Sequence, residues 1–228
     1  MKNSENEIYE SCKEEPSLIF TLIKQGDYDL VENLLVTNEV NINTTDSVGN
    51  DIIMKLLKAK QYELVLELMK KRNWNANHQN QEGNTLGHIL AQDNSIMAVK
   101  VMEQLTKKKN YLPNIKNNKG ETAMDTALSN NYLCTAFKIL EDKRFNDIDI
   151  ISFRNLFNAS IKNELYGKYS KITNFEIIVE NLEKKELNSK MKDLIKHINK
   201  NKEAIKKDFM NNESSLLETI IEKYLVTV

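Results

Sequence analysis

The amino-acid sequence predicts an all-α protein, built as a helix-turn-helix solenoid followed by a C-terminal helical extension, and three observations lead there. Six glycines and two prolines in 228 residues are too few for a sheet rich in tight hairpins. The abundance of Lys, Glu, Leu, Ile and Asn suits helices joined by short polar turns. The third observation is a repeat: one plan of turn, cap and apolar helix recurs along the chain at a spacing of about 34 residues.

The repeat is clearest in "SVGNDIIMKLLKAKQYELVLELM" from Ser47, "QEGNTLGHILAQDNSIMAVKVM" from Gln81 and "NKGETAMDTALSNNYLCTAFKIL" from Asn118. In each, a glycine (Gly49, Gly83, Gly120) is followed two residues later by a good helix N-cap (Asp51, Thr85, Thr122) and then by apolar residues at helical spacing. The glycines lie 34 and 37 residues apart. Stepping back 34 residues from Asp51 reaches Ser17, which is expected to cap a first copy that lacks the turn glycine. Asn43, Asn77 and Asn114 each stand six residues before a glycine, in segments that read as projecting turns.

Within the second copy, Ile52, Ile53, Leu56 and Leu57 mark one helix, and Tyr62, Leu64, Val65, Leu68 and Met69 mark the next. A unit of about 34 residues buries too little surface to fold alone, so neighbours must stack and share a core. The predicted units cover residues 17–46, 47–80, 81–117 and 118–150, after an N-terminal segment 1–16. Residues 151–228, in which Ser152 is expected to cap the next apolar helical pattern, form a C-terminal cap or extension, or a degenerate fifth repeat.

This pattern resembles the ankyrin repeat family, whose unit carries a signature of the type D-x-x-G-x-T-P-L-H-x-A-A-x-x-G followed by V-x-x-L-L and V-N-A. In the third copy Asn80, Gly83, Thr85, Leu86, His88 and Ala91 fill the matching slots, with Asn94 where the next glycine would be and Asn77 in the later asparagine slot. The second keeps Asp46, Gly49 and Asp51 but has Met54 for the histidine and Lys60 for the glycine. The fourth keeps Gly120, Thr122 and Ala127, with Asp125 in the histidine slot, and the proline is absent throughout. The resemblance spans Ser17 to Asp149 and implies a non-enzymatic scaffold that binds a protein partner along its concave face.

The same resemblance places partner-binding residues on the turn tips and the exposed side of the first helices. These are Ser47, Val48, Asn50, Lys58 and Ala59, then Gln81, Glu82, Asn84, Gln92 and Asp93, then Asn118, Lys119, Glu121, Ser129 and Asn130. Each is also readable as an ordinary solvated residue.

No catalytic, cofactor or metal site is expected. His78, His88, His197, Cys12 and Cys134 show no ligand spacing. His88, three residues after a cap, is expected to bond back to the first turn of its helix. Cys134 lies in an apolar helical pattern and reads as a packed thiol, and Trp74 reads either as packing over its own helix pair or as an interface residue. Asp147 and Asp149 read as a degenerate turn rather than an acid–base pair.

A net charge of −1 supplies no general field for nucleic acid or anionic membranes. The lysine tract Lys184–Lys207 is diluted by Glu186, Asp193 and Glu203 and holds no stacking aromatics, so neither nucleic acid nor membrane is expected as a partner. The absence of an apolar signal core or spanning run, with two distant cysteines, suggests a cytoplasmic protein. In the last third, Leu187, Met191, Leu194, Ile198 and Ile205, with Asn201 in the pattern, resemble heptads, and Ser214 and Ser215 open a final amphipathic helix. The expected state is a monomer, the alternative being a structural, oligomeric protein assembled through these C-terminal helices.

Overall fold

The computed structural model describes residues 2–71, 73–166, 175–211 and 215–225. Within them all regular structure is helical apart from one isolated bridge between Thr45 and Asp51. The helices are α1 (Lys2–Glu14), α2 (Ile19–Gln25), α3 (Tyr28–Val36), α4 (Ile52–Lys58), α5 (Tyr62–Lys71), α6 (Leu86–Leu90) and α7 (Ile96–Thr106). They continue with α8 (Ala123–Ser129), α9 (Leu133–Leu140), α10 (Ile150–Tyr166), α11 (Phe175–Glu183), α12 (Ser189–Lys200), α13 (Lys202–Met210) and α14 (Ser215–Leu225). None is long and apolar enough to cross a membrane.

The helices pack as successive hairpins, α2 on α3, α4 on α5, α6 on α7, α8 on α9 and α10 on α11. First helices contact first helices in the order α2, α4, α6, α8, α10, and second helices α5, α7, α9, α11 form a parallel row. The core follows from this order. Ile52, Met54, Leu56, Val65, Leu90, Val101, Met102, Met124, Ile139 and Leu140 are all essentially inaccessible to water, each contributing about 1.5–3 kcal/mol over an exposed counterpart. At Gly87 a Cβ would lie 2.7 Å from the Tyr111 hydroxyl and 3.2 Å from Ala123 Cβ, so α6 and α8 approach closely only because that side chain is missing.

Three of the four expected caps act as such or exchange bonds across the first turn. The Asp51 carboxylate accepts from Met54 N–H at 2.8 Å. Thr122 and Asp125 form a reciprocal box, Thr122 N–H donating to Asp125 Oδ2 at 2.8 Å and Asp125 N–H to Thr122 Oγ1 at 3.2 Å. Thr85 is paired in the same way with His88.

Ser17 departs from expectation: its hydroxyl donates to Glu15, and α2 follows a short 3-10 helix, Pro16–Leu18, without a side-chain cap. Ser152 is also not a cap, because α10 starts two residues earlier and the Asp149 carboxylate accepts from Ser152 N–H at 2.7 Å. The residues before Ser17 form α1, whose Cys12 is fully buried, a helix the repeat pattern gave no reason to expect.

Between the paired helices α2–α3, α4–α5 and α8–α9 the chain reverses through a left-handed residue, and the register of the repeat is visible there too. Gly26, Lys60 and Asn131 have φ of 89°, 59° and 58°. Lys60 carries a Cβ into a conformation that costs a non-glycine residue about 1–2 kcal/mol.

The asparagines before each turn join neighbouring units. Asn43 Oδ1 accepts from Asn75 N–H at 2.9 Å, and Asn77 Oδ1 from Leu112 N–H at 2.8 Å while its amide donates to Asn110 O at 2.6 Å. Asn114 does more: its Oδ1 accepts from Asn146 and Asp147 N–H at 3.0 and 3.1 Å, and its amide donates to Arg144 O at 2.9 Å.

In the C-terminal third, the heptad-like stripe divides at Asn201 between α12 and α13. Met191, Leu194, Ile198 and Ile205 are buried within the chain, where α12 meets α11 and α14, and α13 meets α10 and α14. Ser214 lies outside the described residues. Lys185, after α11, is buried with its ammonium donating to Asp142 O and Phe145 O at 2.9 and 2.8 Å. Burial pushes its pKa down to about 8, and the contact ties the extension to the loop that leaves α9.

Replacing Lys60→Gly is expected to raise stability by about 1 kcal/mol, read as a higher urea midpoint, with a smaller gain for Asn131→Gly because Asn tolerates this conformation. Asn114→Ala should cost about 1–2 kcal/mol and Asn43→Ala less, following the number of backbone groups each leaves unpaired.

Candidate functional site

Three turns of one design project beside the first helices. Each begins with an acceptor side chain, Asp46, Asn80 or Asn117, whose Oδ1 takes two N–H groups of its own turn: Val48 and Asn50, Glu82 and Asn84, or Lys119 and Glu121. Gly49, Gly83 and Gly120 have φ of 77°, 74° and 78°, the left-handed conformation the turn requires.

The turns are hydrogen-bonded to one another. Gln81 N–H donates to Val48 O at 3.1 Å and Asn118 N–H to Glu82 O at 2.9 Å. Alongside these, the amides of Asn80 and Asn117 reach Asn50 Oδ1 and Asn84 Oδ1 at 3.0 and 3.1 Å. The side-chain amides of Gln81 and Asn118 donate to Ser47 O and Gln81 O at 2.9 and 2.8 Å.

Beneath the turns lies an open hollow of about 580 Å³. It is lined by Gln81, Glu82, Asn84, Gln92, Asn117, Asn118, Lys119, Glu121, Thr126, Ser129 and Asn130. A second hollow of about 400 Å³ is lined by Lys58, Gln92 and Asp93 together with Leu57, Lys60, Tyr62, Ile89, Leu90, Asn94 and Tyr132. Gln92 borders both, so the two form one polar surface across the second, third and fourth units.

The sequence-derived residues are thereby distributed unevenly. Gln81, Glu82, Gln92, Asn118, Lys119, Ser129 and Asn130 are exposed in or beside the first hollow, with Glu121 half-buried. Lys58 and Asp93 belong to the second. Ser47 and Val48 are exposed at the first turn but line neither.

Asn50 and Asn84 differ from the expectation of a solvent-facing role, being only 2% and 5% exposed. Their carbonyl oxygens are taken up between turns, and Asn50 also accepts from Lys58 Nζ at 2.9 Å. Asp93 is similarly engaged: burial pushes its pKa up, but hydrogen bonds from the Tyr62 hydroxyl and from Ser95 outweigh this and leave the carboxyl below its ordinary range.

Asn117 and Thr126 were not anticipated. Asn117 was legible in principle, since it occupies in the fourth unit the slot of Asp46 and Asn80, and Thr126 stands four positions, about one helical turn, before Asn130.

Chemically the surface offers amides, hydroxyls and three charges of mixed sign around the first hollow, a set suited to hydrogen-bonding peptide groups and polar side chains. Among the described residues no group of three or more His, Cys, Asp or Glu side chains gathers where an ion could be held. Burial raises the pKa of both Cys12 and Cys134, the opposite of what an activated thiolate requires.

His88 is inaccessible and sits between units. Its Nδ1 accepts from Thr85 N–H at 3.1 Å, so the ring proton is on Nε2, which donates to Glu121 O at 2.9 Å. One imidazole therefore closes the start of α6 and holds the next turn. Asp125 repeats the device in the fourth unit, closing the start of α8 and accepting from the Ser152 hydroxyl of α10. Trp74 is buried over the end of α5, with Nε1 directed at Met69 O at 3.4 Å and Lys108 Nζ 4.9 Å from its ring centre.

A third hollow, between α7 and α9, contains five cationic side chains, but Lys107, Lys138 and Arg144 are each paired with an acid, Glu103, Glu141 and Asp142, within 2.6–2.8 Å. No protein-family model matches the chain, and no curated protein sequence matches it significantly.

Burial lowers the His88 pKa below its ordinary 6.5, so the unfolded chain binds this proton more readily. Its contribution to stability is therefore complete above pH 6.5 and is lost as pH falls through the lowered value. Wild-type urea midpoints should fall on acidification below 6.5 more steeply than those of His88→Gln, whose amide can still accept from Thr85 and donate to Glu121. His88→Ala should cost about 2–4 kcal/mol, from a cavity and two unpaired backbone groups.

Proposed function

We propose that this chain is a non-enzymatic, ankyrin-type repeat protein that recognises another protein along the face formed by its turn tips and first helices. The observation that carries this reading is the pair of adjoining hollows, which collect eleven of the fifteen residues that the resemblance marks, all but Ser47, Val48, Asn50 and Ala59, into one surface. The ordered contacts of successive helix pairs support the same architecture.

A surface extending over three units is of the kind that supplies the roughly 800 Å² per partner of a standard interface. Its hydrogen-bonding groups are donors and acceptors in mixture, matching a protein surface better than a phosphate backbone. The lysine tract gives little support for nucleic acid: Lys185 is buried, Lys184 pairs with Glu180, and Lys202 and Lys206 pair with Glu176. The cytoplasm is the proposed location. Assembly through the C-terminal helices is the weaker reading, since the stripe that suggested it is covered within the chain.

The test is binding of a partner, captured with the intact protein, to a variant carrying Glu82→Lys, Lys119→Glu and Ser129→Lys. These side chains hold no backbone bond between units, so the variant should keep its thermal midpoint and lose at least about tenfold in affinity. Retained affinity would move the binding surface away from this face.

A further inference from the structure

The repeated turns leave one edge uncovered, and its chemistry specifies what fits. In the second and third units the outward edge of the turn presents three acceptors. They are the carbonyls of the two residues after the leading Asp or Asn and the side-chain oxygen of Asn50 or Asn84. Both edges are covered by the next turn with the same three donors: a leading Asn amide, the following backbone N–H, and that residue's side-chain amide. A Cβ on Gly49 or Gly83 would meet this neighbour at 3.2 or 2.5 Å.

The fourth turn has the same edge, and no described residue covers it. Its acceptors are Asn118 O, Lys119 O and the Glu121 carboxylate, and no described residue donates to either carbonyl. A Cβ on Gly120 would meet nothing within 4 Å. The reason is chain length. Nine residues separate Leu112, clamped by Asn77, from the cap Thr122, but only two separate Asn146, clamped by Asn114, from the cap Asp149. There is no chain left to make a fifth turn.

We infer that this edge is a docking site for a turn of the partner protein carrying Asn followed by Asn or Gln, which would add to the row as the chain's own turns do. The inference rests on the reading of the chain as a protein-binding stack and gives the chemistry of one contact. An exposed backbone edge is a template for such addition, and the acceptor-only set selects an occupant that brings donors. A second copy of this chain fits poorly. Its uncovered first turn would place the Asp46 carboxylate against Glu121, and Ser47 has no amide to offer.

The probe is a backbone-cyclised peptide of residues 115–123, which contains the Asn117–Asn118 pair, titrated to about 1 mM into the isotopically labelled full chain. The expected result is a set of amide shifts confined to Lys119–Thr122. Binding should be at least about tenfold weaker for a peptide with Asn117→Asp and Asn118→Ser, and for the Glu121→Lys protein. Absence of shifts at these amides, or equal binding of the two peptides, overturns the inference. Shifts centred on Gln92 and Ser129 overturn it while leaving the broader reading of the concave face standing. A concentration-dependent doubling of mass that shifts the same amides without peptide overturns it in favour of self-association.

Discussion

Every hairpin of helices in this chain is apolar on more sides than it can cover, and that constraint governs the rest of the structure. The α4–α5 pair buries Ile52, Ile53, Met54, Leu56, Leu57, Val65, Leu68 and Met69, which cannot all be hidden between two short helices. The surplus is met by α2 on one side and by α6 and α7 on the other. Stability is therefore held between helix pairs as well as within them.

Apolar stacking has no strong preference for register, and polar groups supply one. Asn43, Asn77 and Asn114 bond the backbone about one unit ahead, while the turn-to-turn amide bonds do the same at the projecting tips. His88 and Asp125 lie between these two rows and join a helix start to the next unit. Leaving such groups unpaired costs more than pairing them gains, so slipping a unit by one residue would be penalised at several points together.

The same amide chemistry decides which polar groups remain at the surface. Asn50 and Asn84 are buried holding neighbouring turns, whereas Gln81 and Asn118 give only their amide N–H to the preceding turn and stay exposed, as do Gln92 and Asn130. The recognition proposed above would draw on the same vocabulary of side-chain amides and backbone groups that joins the turns to one another. The boundary between them is set by whether a following turn exists to use them.

The repeat period, the caps at Asp51 and Thr122, the bond from His88 to its own helix start and the helical class were legible in the sequence. Each is a local matter of spacing and side-chain reach. The α1 helix was not, because it belongs to no repeat, and neither was the failure of Ser17 and Ser152 to cap, because Pro16 and Asp149 govern where those helices begin. Which asparagines face solvent, the burial of Lys185, and the division of the heptad-like stripe into two covered helices depend on groups 30 to 43 residues away, as in Asn80 with Asn50 and Lys185 with Asp142. A sequence read in one dimension shows which side chains can cap, turn or pack. Only the stacked chain decides which of their hydrogen bonds are already taken, because burial and pairing are properties of the neighbours that folding brings.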